Sequence, residues 1–551
     1  MKSILFSLFT LSSVVFLTAK SVVISPDIPI QEQFNKSSSI YEITKNVNLK
    51  GSTIQIPNGS TIWFRGGSIT NGMLSGSFYV KDVKKGSMRV KLKPGSRLLS
   101  EFPAYNYSSD INVSILSSCV SGIILKENLI IDSSINLNTS IDGNNHSIIA
   151  SSNVPSVLVI NGIKKGISIK NLSIKREYCR EINKNYAVIC LNSSNVTISD
   201  CSIEGRLYFV NKASSGVKTD KSTGFVFRNC TLTCDLSVCP KGWQYGQDHI
   251  AFYSINNIEI DQCRIVSTNV NRVIKTSQYF SVDDYKVVSN STDSLFFHNN
   301  NVVARSDYGK QMWDMYCGST NIIIKNNSFE LSGFTRFVEN KAYQDKYEDG
   351  ALMSSIILIQ DNVVETSGSD LFQFRASTMC DSFEISGNTF IMGGHNKNPY
   401  TGYIRYCGGY LQGYKSISIT NNSFKWMDDA IGLPFLMVNF SCLETVVKNN
   451  NFYDVYRINI NSGKHPLYGI QPVSGKIFNY SDNNKYYSSS YSKSREELYL
   501  SELTLDDLII NLEDNPFDNS YEVIFGDNLL IGKSSYNSKS KRSQPFYRNT
   551  K

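Results

Sequence analysis

The segment Ile417-Ser-Ile-Thr-Asn-Asn422-Ser-Phe424 contains the pattern that decides the fold of this 551-residue chain. It reads apolar, any, apolar, any, Asn/Asp/Gly, Asn/Cys, any, apolar. The sixth position, here called the ladder slot, is mostly Asn in later copies and Cys in earlier ones. Alternation with period two inside a repeat of 26 to 37 residues predicts a stack of strand-turn units. The slot falls at residues 172, 201, 230, 263, 300, 327, 362, 388, 422 and 450.

The unit around Asn422 predicts three short strands. Tyr403–Cys407 forms the first, Ile417–Ile419 the second, and Phe424 begins the third. Asn421 and Asn422 turn the chain, because Asn tolerates left-handed backbone and its amide bonds turn groups. Stacked copies would satisfy each other's amides and form a ladder. A sandwich of hairpins is the alternative, and it predicts two-residue turns at shorter spacing.

The ladder motif resembles that of right-handed parallel β-helix proteins of the pectate-lyase-like superfamily. The segment Gly59-Ser-Thr-Ile-Trp-Phe-Arg-Gly-Gly67-Ser-Ile-Thr-Asn-Gly72 resembles the opening coil of secreted bacterial members of that group. The likeness covers roughly residues 40–460. It implies an all-β fold, a single right-handed parallel β-helix (solenoid) of about 11–12 coils with N- and C-terminal caps. It does not fix activity, because the superfamily includes lyases, hydrolases, epimerases and non-catalytic surface proteins.

The first residues have the features of an export signal. Lys2 gives a positive start, and the apolar run Ile4–Leu17 is too short to span a bilayer. Cleavage predicts a periplasmic, cell-surface or secreted protein, and an uncleaved membrane anchor is the alternative. The predicted organisation is a signal peptide at 1–21, N-terminal cap and first coils at 22–110, β-helix with the ladder at 111–460, a C-terminal cap region at 461–531 and a basic flexible tail at 532–551.

The net charge of +7 comes largely from the two ends of the chain. The tail carries six Lys or Arg residues and no acid, and the rest of the mature chain is close to neutral. Composition therefore gives no support for a nucleic-acid partner, and the tail is interpreted as a solvated end.

Twelve cysteines in an exported chain suggest disulfides. Three of them occupy the ladder slot, where a free thiol acts as a small apolar filler: Cys201, Cys230 and Cys263. Cys234 and Cys239 are the best disulfide candidate. No second ligand pair lies nearby in sequence, so no zinc site is predicted.

The resemblance implies that substrates lie along the first sheet, with loops as walls. Long insertions support this location, because long loops in repeat proteins tend to be functional. They flank the first strands at 235–247, 277–293, 342–354, 391–401 and 408–415.

Asp314 and Glu339 are predicted to lie on adjacent first strands, with backbones about 5 Å apart. Two carboxylates at roughly 5–10 Å can act as general acid with nucleophile or base in glycoside hydrolysis. Asp314 and Arg375 each lie 13 residues before a ladder slot and should stack two coils apart, and the intervening coil places either Glu339 or Arg336 between them, because an insertion blurs the register. The alternative is a ladder of surface ion pairs that holds strands together.

Cations and aromatic residues on the same strands are candidates for substrate binding. Arginines clamp sugar carboxylates or sulfates bidentately, and aromatic rings pack against sugar faces if they point outward. A histidine beside an acid, as in Asp248-His249, is a possible acid or base. The predicted substrate-binding residues are Arg375, Arg405, Arg336, Trp313, Tyr316 and His249.

A polysaccharide lyase is the second enzymatic hypothesis. Lys275 would remove a proton if Arg272 and burial lower its pKa, and an arginine would neutralise the uronate carboxylate. Many members of the superfamily use calcium for that neutralisation. Acidic pairs in long turns, at 283–284 and 345–349, would be the calcium ligands; otherwise they are solvated acids. No metal site and no cofactor are otherwise predicted.

These observations favour a carbohydrate-active enzyme, with hydrolysis slightly ahead of lyase chemistry and with a polysaccharide as partner. The predicted catalytic residues are Asp314, Glu339 and Lys275. A non-catalytic glycan-binding or surface structural protein is the third possibility. The sequence leaves the oligomeric state open.

Overall fold

The computed structural model describes residues 21–211, 222–240, 247–277, 292–316, 320–341, 356–367, 370–374, 382–392, 404–407, 416–426, 435–439, 444–453, 457–461, 477–480, 485–491, 498–503, 509–513, 521–525 and 528–532. Within them the chain is a right-handed parallel β-helix, in which each coil adds one strand to each of three sheets. Apolar alternate residues of the strands fill one continuous interior along the stack.

The second sheet, which precedes the ladder turn, is the most regular. Its strands pair in parallel and in chain order, as in Ile385 to Ile419 to Val447. The final pair is antiparallel. Its described strands are Phe102–Ala104, Ile123–Leu125, Ile141–Asp142, Ile167–Lys170, Val196–Ser199, Ser222–Arg228, Ile255–Asp261, Asp293–His298, Thr320–Lys325, Ile356–Gln360, Ser382–Ser386, Ser416–Thr420, Glu444–Lys448, Ile477–Tyr480, Tyr521–Phe525 and Asn528–Gly532.

The third sheet follows the ladder turn, and the chain then passes into the first sheet of the next coil. Two long strands, Asn301–Tyr316 and Ser328–Lys341, run through both sheets without a break. The other third-sheet strands are Leu129–Ile131, Ser147–Ala150, Ser173–Arg176, Ser202–Glu204, Thr231–Asp235, Arg264–Thr268, Val363–Thr366, Thr389–Met392, Ser423–Trp426, Asn451–Tyr453, Lys485–Tyr491 and Leu498–Leu503. The other first-sheet strands are Ile135–Asn136, Ser156–Asn161, Tyr186–Leu191, Arg206–Val210, Asp248–Tyr253, Arg272–Ser277, Asp370–Phe374 and Ile404–Cys407, followed by the trio Phe435–Asn439, Arg457–Asn461 and Ile509–Glu513.

The ladder slot is a row of hydrogen-bonded amides from Asn300 to Asn450. Asn362 shows the pattern: its Oδ1 accepts from the backbone N and the Nδ2 of Asn327, both at 2.9 Å. Its own Nδ2 donates to Asn388 Oδ1 and to the Ile324 carbonyl, also at 2.9 Å. Each buried amide is thus satisfied by the coils beside it, which explains a polar residue inside an apolar stack.

The residue before the slot has left-handed backbone in coil after coil. Asp361 has φ +54°, Asn421 has φ +59°, and Gly387 occupies the same position with φ +68°. Asn, Asp and Gly are the residues that adopt this conformation at little cost. The Asn/Asp/Gly preference in the sequence pattern is therefore a backbone requirement of the turn.

Both ends of the stack differ from the middle. At the N-terminus two small sheets and the helices Ile30–Gln33 and Ser109–Ser118 precede the regular coils. Their strands are Ser21–Val23, Ile40–Ile43, Asn46–Asn48, Thr53–Gln55, Thr61–Phe64, Ser68–Ser75, Ser77–Lys81, Met88–Leu92 and Arg97–Leu98. Beyond residue 461, Ile477–Tyr480 and Tyr521–Phe525 still pair in parallel with the second sheet, so coils continue into the predicted cap region. Among the described residues, no helix is long and apolar enough to cross a membrane.

The cysteine ladder is made of free, buried thiols, as the sequence predicts for apolar fillers. The expected Cys234–Cys239 disulfide is wrong for this structure, because both thiols are free. Cys234 lies on the strand Thr231–Asp235 and not in a loop. The alternation of that strand turns its side chain into the interior, where it is 2% exposed.

Candidate functional site

The pairing of the first-sheet strands defines two neighbouring rows of residues, and most members of these rows are charged or polar. The upstream row is Asp248, Arg272, Gln311, Arg336 and Asp370. The downstream row is Tyr208, Ala251, Lys275, Asp314, Glu339, Gln373 and Arg405.

Asp314 and Glu339 are register partners on adjacent strands, which decides between the two residues, Glu339 and Arg336, that the repeat left open beside Asp314. Both side chains are buried, with exposures of 1% and 0%. Asp314 Oδ2 lies 2.7 Å from Arg272 Nε. Glu339 Oε2 accepts a hydrogen bond from Gln311 Nε2 and lies 3.5 Å from Arg336 Nη1. Two carboxylates therefore sit side by side, each held by residues of the upstream row.

Arg272 bridges two buried acids. Its Nη1 donates to Asp248 Oδ1 at 2.7 Å, while its Nε faces Asp314. Burial opposes the charge on Arg272, but the two carboxylates outweigh it and raise the pKa of Arg272 above its usual value. Burial likewise acts to raise the pKa of Asp248, but the charges of Arg272, Lys275 and Arg206 outweigh it and hold that pKa below its usual value. The acid–arginine–acid arrangement is therefore a buried, mutually dependent unit.

Replacing Arg272 by Ala is expected to lower the free energy of unfolding by about 3–5 kcal/mol, because it leaves Asp248 and Asp314 buried without their shared cation. Denaturant unfolding measures this loss. Arg305→Ala is the matched control, since Arg305 is 70% exposed and pairs with an exposed glutamate, so less than about 1 kcal/mol is expected. Equal losses in the two variants would contradict the assignment.

The same pairing predicts a pH dependence. Because the pKa of Asp248 is lowered on folding, its stabilising contribution is complete above its unfolded pKa of about 4 and is lost as pH falls through the lower folded value. Asp248→Asn is expected to flatten the decline of unfolding free energy below pH about 4. Identical acid-unfolding curves for wild type and variant would exclude this contribution.

Lys275 lies in the downstream row next to Asp314, and its Nζ sits 5.3 Å from the centre of the Tyr253 ring. Tyr253 in turn packs against Tyr208, and Tyr208 against Tyr186. Burial raises the pKa of Tyr253 well above its usual value. A short row of phenol rings, tilted about 50–57° to one another, thus leads from the earlier coils to the charged residues.

Two predicted substrate-binding residues point into the interior, which corrects their assignment. His249 is fully buried, and its Nδ1 lies 2.8 Å from Ser267 Oγ on the third sheet. Burial and the charge of Arg206 lower its pKa to about 3. Trp313 is also fully buried, donates to Thr276 Oγ1 and packs edge-on against Phe297. Strand alternation explains both, because each directly neighbours an outward-facing acid.

Of the other residues that the sequence predicted for substrate or calcium binding, the structure describes some completely, some by backbone only and some not at all. Arg336 is 19% exposed and contacts Glu339, so it belongs to the site. The backbone of Arg405 is in the downstream row, and Tyr316 ends its long strand, but their side chains lie outside the description. Arg375 and the acidic turns at 283–284 and 345–349 fall outside the described residues.

Among the residues that the structure describes, one group of side chains could hold a metal, and it lies on the second sheet. Glu259, Asp261 and His298 place one ligand atom each within 4.8 Å of one another. Arg228 contacts both acids, at 3.2 Å and 3.7 Å, and Lys325 is the register partner of His298. Arg228 pairs with both acids, and His298 contacts both as well, so the group is well described as an ion-pair cluster.

Sequence reasoning missed Gln311, considered Asp248 only as the acid beside His249, and considered Arg272 only for its effect on Lys275. The sequence does contain a signal for these three residues. Each one lies three positions before the residue of its own strand that belongs to the downstream row. The contacts depend on how the strands stack, and this register is blurred in sequence by insertions of different lengths.

No protein-family model matches this chain, and no curated protein matches it. Among solved structures, the chain is similar to the hyperthermoactive exopolygalacturonase from Thermotoga maritima. That match has 9% identity and a TM-score of 0.25, and it covers 93% of this chain and 94% of that chain. Strand pairing, not this likeness, defines the chain as a right-handed parallel β-helix protein with a buried acid–arginine network on its first sheet.

Proposed function

We propose that this protein is an exported glycoside hydrolase that cleaves a polysaccharide bound along the first sheet. The observation that carries the proposal is the pairing of Asp314 with Glu339 on adjacent strands. Hydrolysis of a glycosidic bond needs two carboxyl groups at a fixed, short separation. The parallel stack supplies that separation directly, because neighbouring strands are about 4.8 Å apart.

The partners of the two acids lie on the same side of them. Asp314 contacts Arg272 and Glu339 contacts Gln311, and each partner belongs to the upstream row of the preceding coil. From this shared direction we infer that the carboxyl groups are separated by about one strand spacing, about 4.8 Å. Retaining glycosidases have carboxyl groups about 5–5.5 Å apart, whereas inverting enzymes have them about 6.5–9.5 Å apart. Retention of anomeric configuration is therefore the proposed stereochemistry.

The partners also suggest a division of roles. A guanidinium contacts Asp314 directly, and a fixed positive charge stabilises a carboxylate anion, which suits a nucleophile. Glu339 accepts a hydrogen bond from the neutral amide of Gln311, and the Arg336 guanidinium lies farther from it, at 3.5 Å, so we assign Glu339 the role of delivering a proton to the leaving oxygen. Arg336, which is partly exposed beside Glu339, is placed to bind a polar substituent of the sugar.

The deciding experiment incubates the purified full chain with a panel of acidic and neutral polysaccharides. We expect new reducing ends without ultraviolet absorbance from unsaturated sugars, and proton NMR should show that the first-formed anomer has the substrate's configuration. Inversion would overturn the proposed stereochemistry and leave hydrolysis standing. No cleavage of any glycan that the protein binds would contradict the enzymatic proposal.

A lyase is the second candidate, favoured by one observation. Lys275 is the register partner of Asp314, and Arg272 lies three residues earlier on the same strand, so a base and a cation are close together. A lyase needs a base for the proton beside a uronate carboxylate and a positive charge for the enolate. Ultraviolet absorbance appearing together with new chain ends would select this function over hydrolysis.

A further inference from the structure

Two cysteines that are far apart in sequence meet beside the first sheet. Cys179 follows the third-sheet strand Ser173–Arg176, and Cys239 follows Thr231–Asp235, two coils further on. Cys239 Sγ lies 3.4 Å from the carbonyl oxygen of Cys179, although the residues are 60 positions apart. Asn185 Nδ2 contacts both, at 2.8 Å from the Cys179 oxygen and 3.3 Å from Cys239 Sγ.

The coil between them explains why these segments touch. In that coil a single residue, Gly205, joins the third-sheet strand Ser202–Glu204 to the first-sheet strand Arg206–Val210. Gly205 has φ +125°, and a Cβ there would lie 2.8 Å from Arg176 Cδ. This connection is so short that it leaves space beside it. The segments that follow Ser173–Arg176 in the coil before and Thr231–Asp235 in the coil after contact each other there, through Cys179 and Cys239.

The two thiols differ in access. Cys179 is partly exposed, whereas Cys239 is 5% exposed and burial raises its pKa. Cys234, the nearest other cysteine in sequence, faces the interior, and burial raises its pKa to about 12. An external oxidant therefore reaches Cys179 first, and Cys239 is the thiol placed to react next.

We propose that Cys179 and Cys239 form a disulfide when the folded protein meets a small-molecule disulfide oxidant. The Cys179 thiolate attacks the oxidant, forms a mixed disulfide and releases one small thiolate. The Cys239 thiol then loses its proton to solvent, attacks Cys179 Sγ and releases the second small thiolate. Two protein thiols are oxidised to one disulfide, and one oxidant molecule is reduced to two thiols.

The bridge would join two segments that border the first sheet. The first segment follows the strand Ser173–Arg176 and contains Cys179, and the second follows Thr231–Asp235 and contains Cys239. Arg206 Nη1 donates to the carbonyl of Ile182 in the first segment, at 3.1 Å, and its Nε donates to the carbonyl of Asp248 at 2.8 Å. The second segment leads toward the strand that begins at Asp248. Crosslinking therefore anchors Cys239, nine residues before Asp248, to the segment that contains Ile182, and this consequence holds whether or not the protein hydrolyses glycans.

The test treats the folded full chain with oxidised glutathione, alkylates the remaining thiols and maps the peptides by mass spectrometry without reduction. We expect a peptide pair joined through Cys179 and Cys239, and a higher thermal midpoint that reductant reverses. Cys179→Ser should lose both the pair and the reductant-sensitive shift. Cys234→Ser is the matched control and should keep both.

Two results would overturn the proposal. One is alkylation of both Cys179 and Cys239 after oxidation of the folded wild-type chain. The other is a crosslink from Cys239 to Cys234, which would restore the pairing favoured by sequence distance. The wild-type peptide map decides the matter even if a serine variant folds poorly.

Discussion

Replacement of Glu339 by Gln should reduce the rate of glycan hydrolysis by at least about 100-fold, because the amide cannot deliver a proton to the leaving oxygen. Asp314→Asn should have an effect of similar or larger size, because it removes the proposed nucleophile. Both substitutions keep the shape of the side chain, and Gln311 can still donate to the remaining carbonyl oxygen at residue 339. The loss is expected in kcat, with substrate affinity changed far less.

Glu330→Gln is the matched control for this pair. Glu330 lies on the same long strand as Glu339, but it is 55% exposed on the third sheet, where it pairs with Arg305. Its replacement should leave hydrolysis unchanged. If Glu339→Gln retains most of the activity while the fold is intact, the two acids are structural members of the ion-pair network and not the catalytic pair.

A restoring experiment separates chemistry from folding. In a retaining enzyme, a small anion such as azide can take the place of a lost carboxylate nucleophile and attack the sugar from the same side. Azide should therefore partly restore turnover to Asp314→Ala, whose shortened side chain leaves room for the anion, and give a glycosyl azide product, and wild-type rates should not rise. A purely structural defect has no reason to respond to azide.

The sequence predicted the fold well because a short local pattern, repeated along the chain, determines the fold. Residues such as Asn362 and Asn388 follow from the slot spacing, and the left-handed residue before them restricts the choice to Asn, Asp or Gly. Both signals lie within eight residues of chain. Stacking then follows, because each unit can bury its apolar face and satisfy its amides only against copies of itself.

The site was less predictable because it depends on relations between coils. The repeat left either Glu339 or Arg336 beside Asp314, and strand pairing selects Glu339; the partners of the two acids depend on stacking across insertions of unequal length. His249 and Trp313 were misplaced for a simpler reason. Each lies directly beside an acid, and a shift of one residue along a strand reverses the face on which a side chain lies.

Asn362→Ala should destabilise the solenoid by about 3 kcal/mol or more. The substitution removes the oxygen that accepts hydrogen bonds from the backbone N–H and the side-chain amide of Asn327. It also removes the amide that donates a hydrogen bond to the Ile324 carbonyl. All three groups are buried, and a buried polar group without a partner costs about 1–3 kcal/mol. Denaturant unfolding measures the loss, and hydrogen exchange at the Asn327 amide should accelerate.

The residue next to it provides the control. Asp361→Gly changes an exposed side chain in the same turn, and the next coil already has Gly387 at that position with the same left-handed backbone. Its ion pair with Lys325, at 3.7 Å, is also exposed, so a change within about 0.5 kcal/mol is expected. If the ladder amides did not stabilise the turn, both variants would lower the free energy of unfolding by equal, small amounts. A large loss confined to Asn362→Ala would show that amides passing hydrogen bonds from coil to coil hold this turn together, because only this side chain reaches the coils on both sides.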